Sequence, residues 1–454
     1  MREAMPTTCG VLKTLFKKCL LIGGGIFIGL ICSEVGLRLC GFRYATFLQP
    51  DRVSGWSHRP DDVAVYSFLG HDTLVKINSH GWRDYERPVK KPPSTFRIAV
   101  IGDSFVAAWQ VGLQETFCAL AERQLNQQAA FGARKVEVLN FGVNGYGTAQ
   151  ELLALQSYIP AYEPDLVILA FFAANDLIDN SKELDFDGRA WMRPYFELRS
   201  DLLVLDSSFR DSPKFRSRSN LFFRSWYALR HHSRFIQLVS KMRNRVFLKL
   251  GRRIRQARED VPVKSWQERG LYDQVYLRTP STEWQETWLI TEKIIGQMKK
   301  EVSNMDAQFG ILQVNAAIQV HHDDVRQQFI KHLGVTDLAY PNRRISALAT
   351  KLHIPDLDVA PKLRRLADNS HELYHGFSSN KGWGHWNVKG HRVVGNLLAN
   401  WIHARFGSGE QLTRDNDKTS PPTRSKLGNS TQDVDKTVPE SLGPPERKSV
   451  VLCP

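Results

Sequence analysis

Cysteine is scarce in this chain, with only 6 in 454 residues. The six are Cys9, Cys19, Cys32, Cys40, Cys118 and Cys453. Their spacing matches neither a disulfide-stapled scaffold nor a thiolate metal site. The sequence also lacks an internal repeat and a recognisable nucleic-acid-binding module. It therefore gives no indication of a metal or a cofactor, and it argues against nucleic acid as a partner.

Acidic residues are absent between Asp211 and Glu259, a stretch that contains 14 lysines and arginines. Much of the formal net charge of +14 is therefore local. Apolar residues recur there at three- and four-residue steps from Val239 to Ile254, which predicts a basic amphipathic helix. Three interpretations stay open. The helix packs its apolar stripe on the main domain, or it contacts anionic lipid or an acidic polysaccharide, or it binds nucleic acid.

Apolar runs long enough to cross a membrane are nearly absent as well. The strictly apolar run, 19–32, is shorter than the roughly 20 residues of a membrane helix, and it reaches that length only if Glu34 and Arg38 lie at the far interface. No small-residue cleavage site follows it, and Ile31 is too bulky for a lipoprotein signal. We therefore predict an uncleaved single-pass anchor rather than a cleaved signal peptide. Lysines before the run predict a cytoplasmic N-terminus, with the main domain on the other side, although Arg38 and Arg43 oppose this orientation.

A serine follows the first strongly predicted buried strand. Residues 98–101 are short, apolar and rich in β-branched side chains, and Gly102-Asp103-Ser104-Phe105 comes directly after them. A serine at a strand-to-helix turn is accessible to substrate, and the free N–H groups of the turn can bind an anion. Taken alone, however, Gly-Asp-Ser favours a helix cap over a nucleophile.

Three further polar motifs stand at the ends of predicted strands. A strand over 136–140 leads into a glycine-rich turn that contains Gly145, and the strand over 165–172 ends just before Asn175. Near the end of the folded part, His385 precedes a helix predicted over 392–405, and His391 is its rival as a candidate base. Because open α/β sheets place their sites at the carboxyl ends of parallel strands, these residues are expected to meet there.

The order and wording of these motifs resemble the SGNH (GDSL-type) hydrolases, which are serine esterases and acyl-transfer enzymes. Ser104 in the GDSF block matches the family's nucleophile, Gly145 its glycine, Asn175 its asparagine, and His385 the histidine of an H-x-N-x-x-G-H ending. The resemblance covers roughly 77–406, apart from a long insertion, and the segment 77–84 resembles the lead-in of many membrane-linked members. It implies an α/β fold, a three-layer α/β/α sandwich with a parallel flavodoxin-like sheet and a mainly helical insertion.

The resemblance and the composition together predict the domain organisation. The predicted parts are a short N-terminal segment (1–18), an anchor (19–39), an extension (40–95), the hydrolase domain (96–406) with a basic insertion at about 181–283, and a disordered tail (407–454) rich in Ser, Thr and Pro.

The resemblance also implies a mechanism, in which Ser104 attacks an ester carbonyl and His385 takes its proton. The N–H groups of Ser104 and Gly145 and the Asn175 amide would bind the oxyanion. One departure stands out, because family members usually place an aspartate where this chain has Gly382.

Three explanations of that departure are open. Asp368 or Glu372 serves as the acid, a backbone carbonyl orients His385, or activity is low. The favoured arrangement is a Ser-His dyad, in which no nearby carboxylate orients His385. Since no long apolar lid is evident, acetyl groups on a carbohydrate are the expected substrate, by family analogy. The alternative function is a catalytically silent protein that binds anionic lipid or glycan through the basic insertion.

Overall fold

The computed structural model describes residues 8–44, 47–68, 71–184, 192–243, 246, 273–278 and 280–407. The predictions made for the first seven residues, for 247–272 of the basic segment and for the tail beyond residue 407 lie outside the described residues.

Strands in the described part of the chain fall into one main sheet and three hairpin-like pairs. Their bounds are β1 Leu48–Asp51, β2 Gly55–His58, β3 Val63–Phe68, β4 His71–Lys76, β5 Thr95–Gly102, β6 Lys135–Gly142, β7 Leu166–Phe171, β8 Tyr195–Arg199, β9 Leu202–Asp206, β10 Gln308–Gln313 and β11 Asp356–Asp358.

Helices separate and cover these strands. Their bounds are α1 Thr8–Leu39, α2 Ser104–Ala107, α3 Phe117–Gln127, α4 Thr148–Ser157, α5 Ala173–Asp179, α6 Pro213–Ser219, α7 Leu221–His232, α8 234–243, α9 Thr282–Asn304, α10 Ala317–Val320, α11 Asp323–Leu333, α12 Tyr340–Lys351, α13 Ala360–Ser370 and α14 Val388–Phe406.

The main sheet has five parallel strands in the order β11-β10-β7-β5-β6. Every residue of β5 and β7 is buried, as expected for parallel strands covered on both faces. Helices α3, α13 and α14 contribute to the core on one face, while α4, α9 and α12 contribute to the core on the other. This is a three-layer α/β/α sandwich with the flavodoxin-like strand order, which confirms the predicted fold class.

The register of the sheet aligns the strand ends that carry the motifs. Gly102 at the end of β5 pairs with Gly142 at the end of β6 and with Ala170 in β7. The turns that follow β5, β6 and β7 therefore start at one edge of the sheet, its carboxyl edge.

A short helix and a loop separate β5 from the next long helix. The four-residue α2 is followed by Ala108, which has a left-handed φ of 48°, and α3 begins at Phe117. Buried Arg83 donates to the carbonyl of Ala107 at 2.7 Å and also to those of Ala108 and Val111, so its guanidinium fixes this loop from outside the helix.

The segment between α5 and α9 contains more than helices. It includes the antiparallel hairpin β8–β9, which the sequence analysis did not predict, as well as α6, α7 and α8. Of the basic helix predicted from Val239 to Ile254, residues 239–243 lie in α8 and residue 246 is helical, while 244–245 and 247–254 lie outside the described residues.

The N-terminal helix α1 is the one described helix with the length and composition of a membrane span. The apolar stretch Leu15–Leu39 has a mean hydropathy of 2.0, and its most apolar part has no side chain buried against the rest of the protein. A signal sequence has the same properties, so this composition alone is weak support for an anchor.

Candidate active site

Ser104 occupies the first position of α2, directly after β5. Asp103 caps this helix, because its Oδ1 accepts a hydrogen bond from the Phe105 backbone N–H at 2.8 Å. Glycines allow the helix to sit this close to the sheet. A Cβ on Gly102 would lie 2.4 Å from Val106 Cγ2, and one on Gly142 would lie 2.4 Å from the Ala107 backbone nitrogen. In the Gly-Asp-Ser motif, Asp103 therefore caps α2, and Gly102 allows Ser104 to lie directly at the end of β5.

The structure brings Ser104 and His385 together across 281 positions of sequence. Ser104 Oγ lies 2.7 Å from His385 Nε2, which is hydrogen-bond distance, and both residues are half-buried. Desolvation lowers the pKa of His385 to about 4, so its imidazole is neutral near pH 7. A neutral imidazole can accept the serine proton, and the pair has the geometry of a nucleophile and its general base.

Packing and backbone contacts hold the His385 ring. The ring of buried Phe105 lies 4.7 Å from it at 35°. The His385 carbonyl accepts from the Gly376 N–H at 2.9 Å, and an antiparallel bridge joins His375 to Trp386. Phe105, the residue after Ser104, therefore also packs against His385.

None of the expected acids contacts His385. Asp368 is engaged with Arg326 at 2.8 and 3.1 Å, and Glu372 forms an ion pair with Lys389. Among the described residues, no carboxylate forms an ion pair with His385. Its rival His391 is buried and accepts from the Phe117 backbone N–H at 3.3 Å, so His391 has a structural role.

The position of the usual aspartate is filled from another part of the chain. Gly382 has φ 89°, and a Cβ on it would lie 2.6 Å from His321 Nε2. The His321 ring packs at 4.9 Å on that of Trp383, and burial lowers the pKa of His321 to about 4. The sequence analysis did not single out His321, because nothing local connects it to Gly382.

We expect that Gly382→Asp does not recreate a triad. The left-handed φ and the contact with His321 should together lower the free energy of unfolding by about 2–4 kcal/mol, without raising ester turnover. Urea unfolding of Gly382→Asp beside Gly384→Asp checks this, since Gly384 has a similar positive φ (80°) but a Cβ there would lie 3.6 Å from Asn380 Nδ2, which is an ordinary contact. Equal losses in the two variants, or faster turnover by Gly382→Asp, would contradict the expectation.

Candidate oxyanion donors come from the turns after β6 and β7. Gly145 has φ 77°, and its carbonyl accepts from Arg193 Nη2 at 3.1 Å. Asn175, in the first turn of α5, donates from Nδ2 to Asp103 Oδ2 at 2.9 Å. This bond uses one of the two Nδ2 hydrogens and fixes the carboxamide beside the residue that precedes Ser104.

Buried carboxyl groups lie beneath this edge of the sheet. Burial, with a smaller contribution from the nearby Asp179, raises the pKa of Asp103 to about 7. Burial also raises the pKa values of Glu151 and Asp176 well above their ordinary range, with contributions from Asp103 and Asp179. Arg193, itself buried, forms an ion pair with Asp179 at 2.9 Å. The sequence analysis missed this cluster, because its members come from three separate segments.

Glu151→Gln should stabilise the protein at neutral pH. Neither carboxyl oxygen of buried Glu151 has a hydrogen-bond partner among the described residues. Because its pKa is raised in the folded state, the unfolded chain loses this proton first, and folding stability falls as pH rises above the unfolded pKa near 4.5. We expect a gain of about 1–3 kcal/mol at pH 8 that disappears near pH 4. Urea unfolding at both pH values tests this, with exposed Glu286→Gln as the control. An equal gain at both pH values would contradict it.

Among the described residues, no group of three or more His, Cys, Asp or Glu side chains is arranged to hold a metal ion.

Comparisons with known proteins give similarity to solved structures. No family model and no curated protein matches the sequence. An acetyl xylan esterase, AlAXEase, is 12% identical, covers 68% of this chain and 100% of its own, and has a TM-score of 0.34. A lipase/acylhydrolase from Enterococcus faecalis is 13% identical, covers 68% and 97%, and has a TM-score of 0.32. An acetylxylan esterase from Geobacillus stearothermophilus is 10% identical, covers 68% and 94%, and has a TM-score of 0.32.

Proposed function

We propose that this protein hydrolyses oxygen esters, with Ser104 as the nucleophile and His385 as the general base. The observation that carries the proposal is the 2.7 Å contact between Ser104 Oγ and His385 Nε2 at the carboxyl edge of a parallel sheet. A neutral base at hydrogen-bond distance from a half-buried serine is the arrangement that nucleophilic acyl transfer requires.

The proposed reaction has two halves. Ser104 Oγ bonds to the ester carbonyl carbon while its proton passes to His385 Nε2, and the oxyanion is bound by the Ser104 and Gly145 N–H groups and by Asn175 Nδ2. The carbon–oxygen bond to the alcohol then breaks, and the alcohol takes the proton from His385. Water, deprotonated by His385, attacks the acyl-enzyme, and Ser104 leaves with its proton restored.

Acetyl esters of a carbohydrate are the proposed substrates. In the part of the chain that the structure describes, no long apolar lid of the kind expected for long acyl chains is evident, and both residues of the catalytic pair are half-buried. We expect p-nitrophenyl acetate to be hydrolysed at least about tenfold faster than the octanoate ester, measured as kcat/KM. Release of acetate from an acetylated polysaccharide, compared with its deacetylated form as the control, tests the carbohydrate.

A catalytically silent binding protein is the second candidate function. The specific observation in its favour is Gly382, whose neighbour His321 leaves no room for the usual acid. A fluorophosphonate probe separates the two functions. Covalent labelling of Ser104 supports the esterase, whereas an unlabelled, folded protein that still binds anionic lipid or glycan supports the binding protein.

The pH dependence of kcat/KM should lack an inflection near 6.5. Because His385 has a pKa of about 4, it stays neutral and active as pH falls from 8 to 5.5. An ordinary histidine would lose about tenfold in rate over this range. We therefore expect kcat/KM for a neutral ester to change by less than about twofold. Folding is monitored by circular dichroism, because other histidines are also buried in the neutral form and acid therefore lowers folding stability. A tenfold fall with the fold intact would contradict the assignment.

We also propose that α1 is an uncleaved anchor, with the catalytic domain on the extracytoplasmic side. In support, Glu34 and Arg38 near the end of α1 hydrogen-bond residues 232–235, so the helix end is built into the folded domain. The mass of the mature protein, isolated from membranes, tests this proposal. A mass that lacks α1 would overturn it.

A further inference from the structure

We propose that α7 and α8 form a second membrane-contact surface, lying in the headgroup region of an anionic bilayer beside the end of α1. The surface consists of the exposed apolar side chains of these two helices and of Val246, together with the neighbouring basic side chains. This proposal concerns a surface distinct from the Ser104 site, and its test does not depend on catalysis.

A capping interaction joins the anchor helix to α8. The carboxylate of Glu34 in α1 accepts hydrogen bonds from the backbone N–H groups of Arg234 and Phe235 and from Ser233 Oγ, each at 3.0 Å. The backbone N–H groups at the start of a helix have no partner within that helix. The Glu34 side chain of α1 supplies the acceptor and thereby caps α8. Arg38 pairs with Glu34 at 2.8 Å and donates to the His232 carbonyl at 2.6 Å. The end of α7 and the start of α8 are thereby tied to α1.

The position of Glu34 along α1 sets the depth at which α7 and α8 lie in the membrane interface. The stretch from Leu15 to Glu34 is apolar apart from Lys17 and Lys18 near its start, whose long side chains can extend their ammonium groups to the near interface, and Ser33 and Glu34 at its end. At 1.5 Å per residue, its 20 residues span about 30 Å, which is the thickness of the hydrocarbon core of a bilayer. When α1 spans the membrane, Glu34 therefore lies at the far interface, and α7 and α8 start from the same level.

Both helices expose apolar side chains on one face. In α7, Phe222, Trp226 and Leu229 follow each other at four- and three-residue steps, and Phe222 is 74% exposed. In α8 and its continuation, Val239, Met242 and Val246 are spaced by three and four residues, and Met242 is 60% exposed. Such stripes in a soluble domain are normally covered, and helices with one apolar and one basic face lie in membrane interfaces.

Charge selects an anionic bilayer as the partner. The exposed face of α8 carries Arg243, the Lys241 ammonium lies 5.3 Å from the Phe42 ring just beyond α1, and the sequence has no acidic residue between Asp211 and Glu259. Basic side chains at the edge of an apolar surface bind anionic headgroups. A bilayer is also the partner that α1 itself brings to this surface, which is the reason for preferring it to a second copy of the chain.

Quenching by brominated lipid tests the proposal with the full-length protein. The described part of α1 contains no tryptophan, so Trp226 reports on α7 rather than on the span. The protein is placed in nanodiscs of phosphatidylcholine with or without phosphatidylglycerol, with and without dibrominated acyl chains. We expect Trp226→Phe to remove about half of the bromolipid-dependent quenching, because interfacial tryptophans lie within reach of the acyl chains. Trp401→Phe, on α14, is the matched control and should leave the quenching unchanged.

Two further comparisons make the outcome decisive. The quenching assigned to Trp226 should increase when phosphatidylglycerol is present, and Glu34→Gln, which loses the charge and one acceptor of the cap, should reduce it. Quenching that is unchanged by Trp226→Phe would overturn the proposal. So would Trp226 emission that depends on the number of protein copies per disc rather than on bromination, since that result identifies a contact between copies. Fluorophosphonate labelling of Ser104, measured in the same samples, reports separately on the esterase.

Discussion

Ser104→Ala should abolish both ester turnover and fluorophosphonate labelling, with a loss in kcat of about 10⁴-fold or more. The variant removes the atom that bonds to the acyl carbon, and no other described hydroxyl lies against His385 Nε2 in its place. Turnover of p-nitrophenyl acetate by the purified protein measures the effect. Exposed Ser157→Ala, at the end of α4, is the control and should keep full activity.

His385→Ala should fall to a similar level, and the double variant should fall no further. Nucleophile and base act as a unit, so removing the second partner costs little once the first is gone. Circular dichroism establishes that each variant is folded. If the single losses instead multiply in the double variant, or if His385→Ala retains more than about a tenth of the activity, His385 is not the base.

After the catalytic pair Ser104 and His385, Asn175→Ala has the next largest expected effect, a fall in kcat of about 10²- to 10³-fold with little change in KM. A carboxamide that donates to the oxyanion strengthens its bond in the transition state, and deleting one such donor costs about 3–4 kcal/mol of transition-state stabilisation. The hydrogen bond from Asn175 Nδ2 to Asp103 Oδ2 at 2.9 Å orients the amide. It leaves the second Nδ2 hydrogen available for the oxyanion.

A purely structural role of Asn175 would give another result. If Asn175 only anchors Asp103, the alanine variant should lose folding stability while kcat changes by less than about tenfold. Measuring kcat, KM and the urea unfolding curve of the same preparation separates these roles. A KM increase at constant kcat would likewise contradict the oxyanion assignment.

Much of the site could be predicted because its parts are local. Buried parallel strands appear in a sequence as short apolar runs, and Ser104, Gly145 and Asn175 each follow such a run within a few residues. Once these runs are identified as neighbouring strands, the carboxyl edge of the sheet collects their turns. His385 was predicted from the H-x-N-x-x-G-H motif, and the structure places it against Ser104.

Other features could not be predicted, because they join segments that no local pattern connects. His321 fills the space beside Gly382, Arg193 pairs with Asp179, and the hairpin β8–β9 forms within a segment whose composition suggested helices. The same holds for Glu34, a residue near the end of an apolar helix that caps another helix about 200 positions later.

The sequence by itself determined the strand runs, the turns that end them and the residue types at those turns, since these follow from hydrophobic patterning and turn chemistry. Only the tertiary structure decided which histidine meets the serine, what fills the space beside Gly382, and where α7 and α8 lie relative to α1. Those outcomes depend on side-chain packing between distant segments, in which a close contact such as that of His321 with Gly382 excludes an alternative that the sequence leaves open.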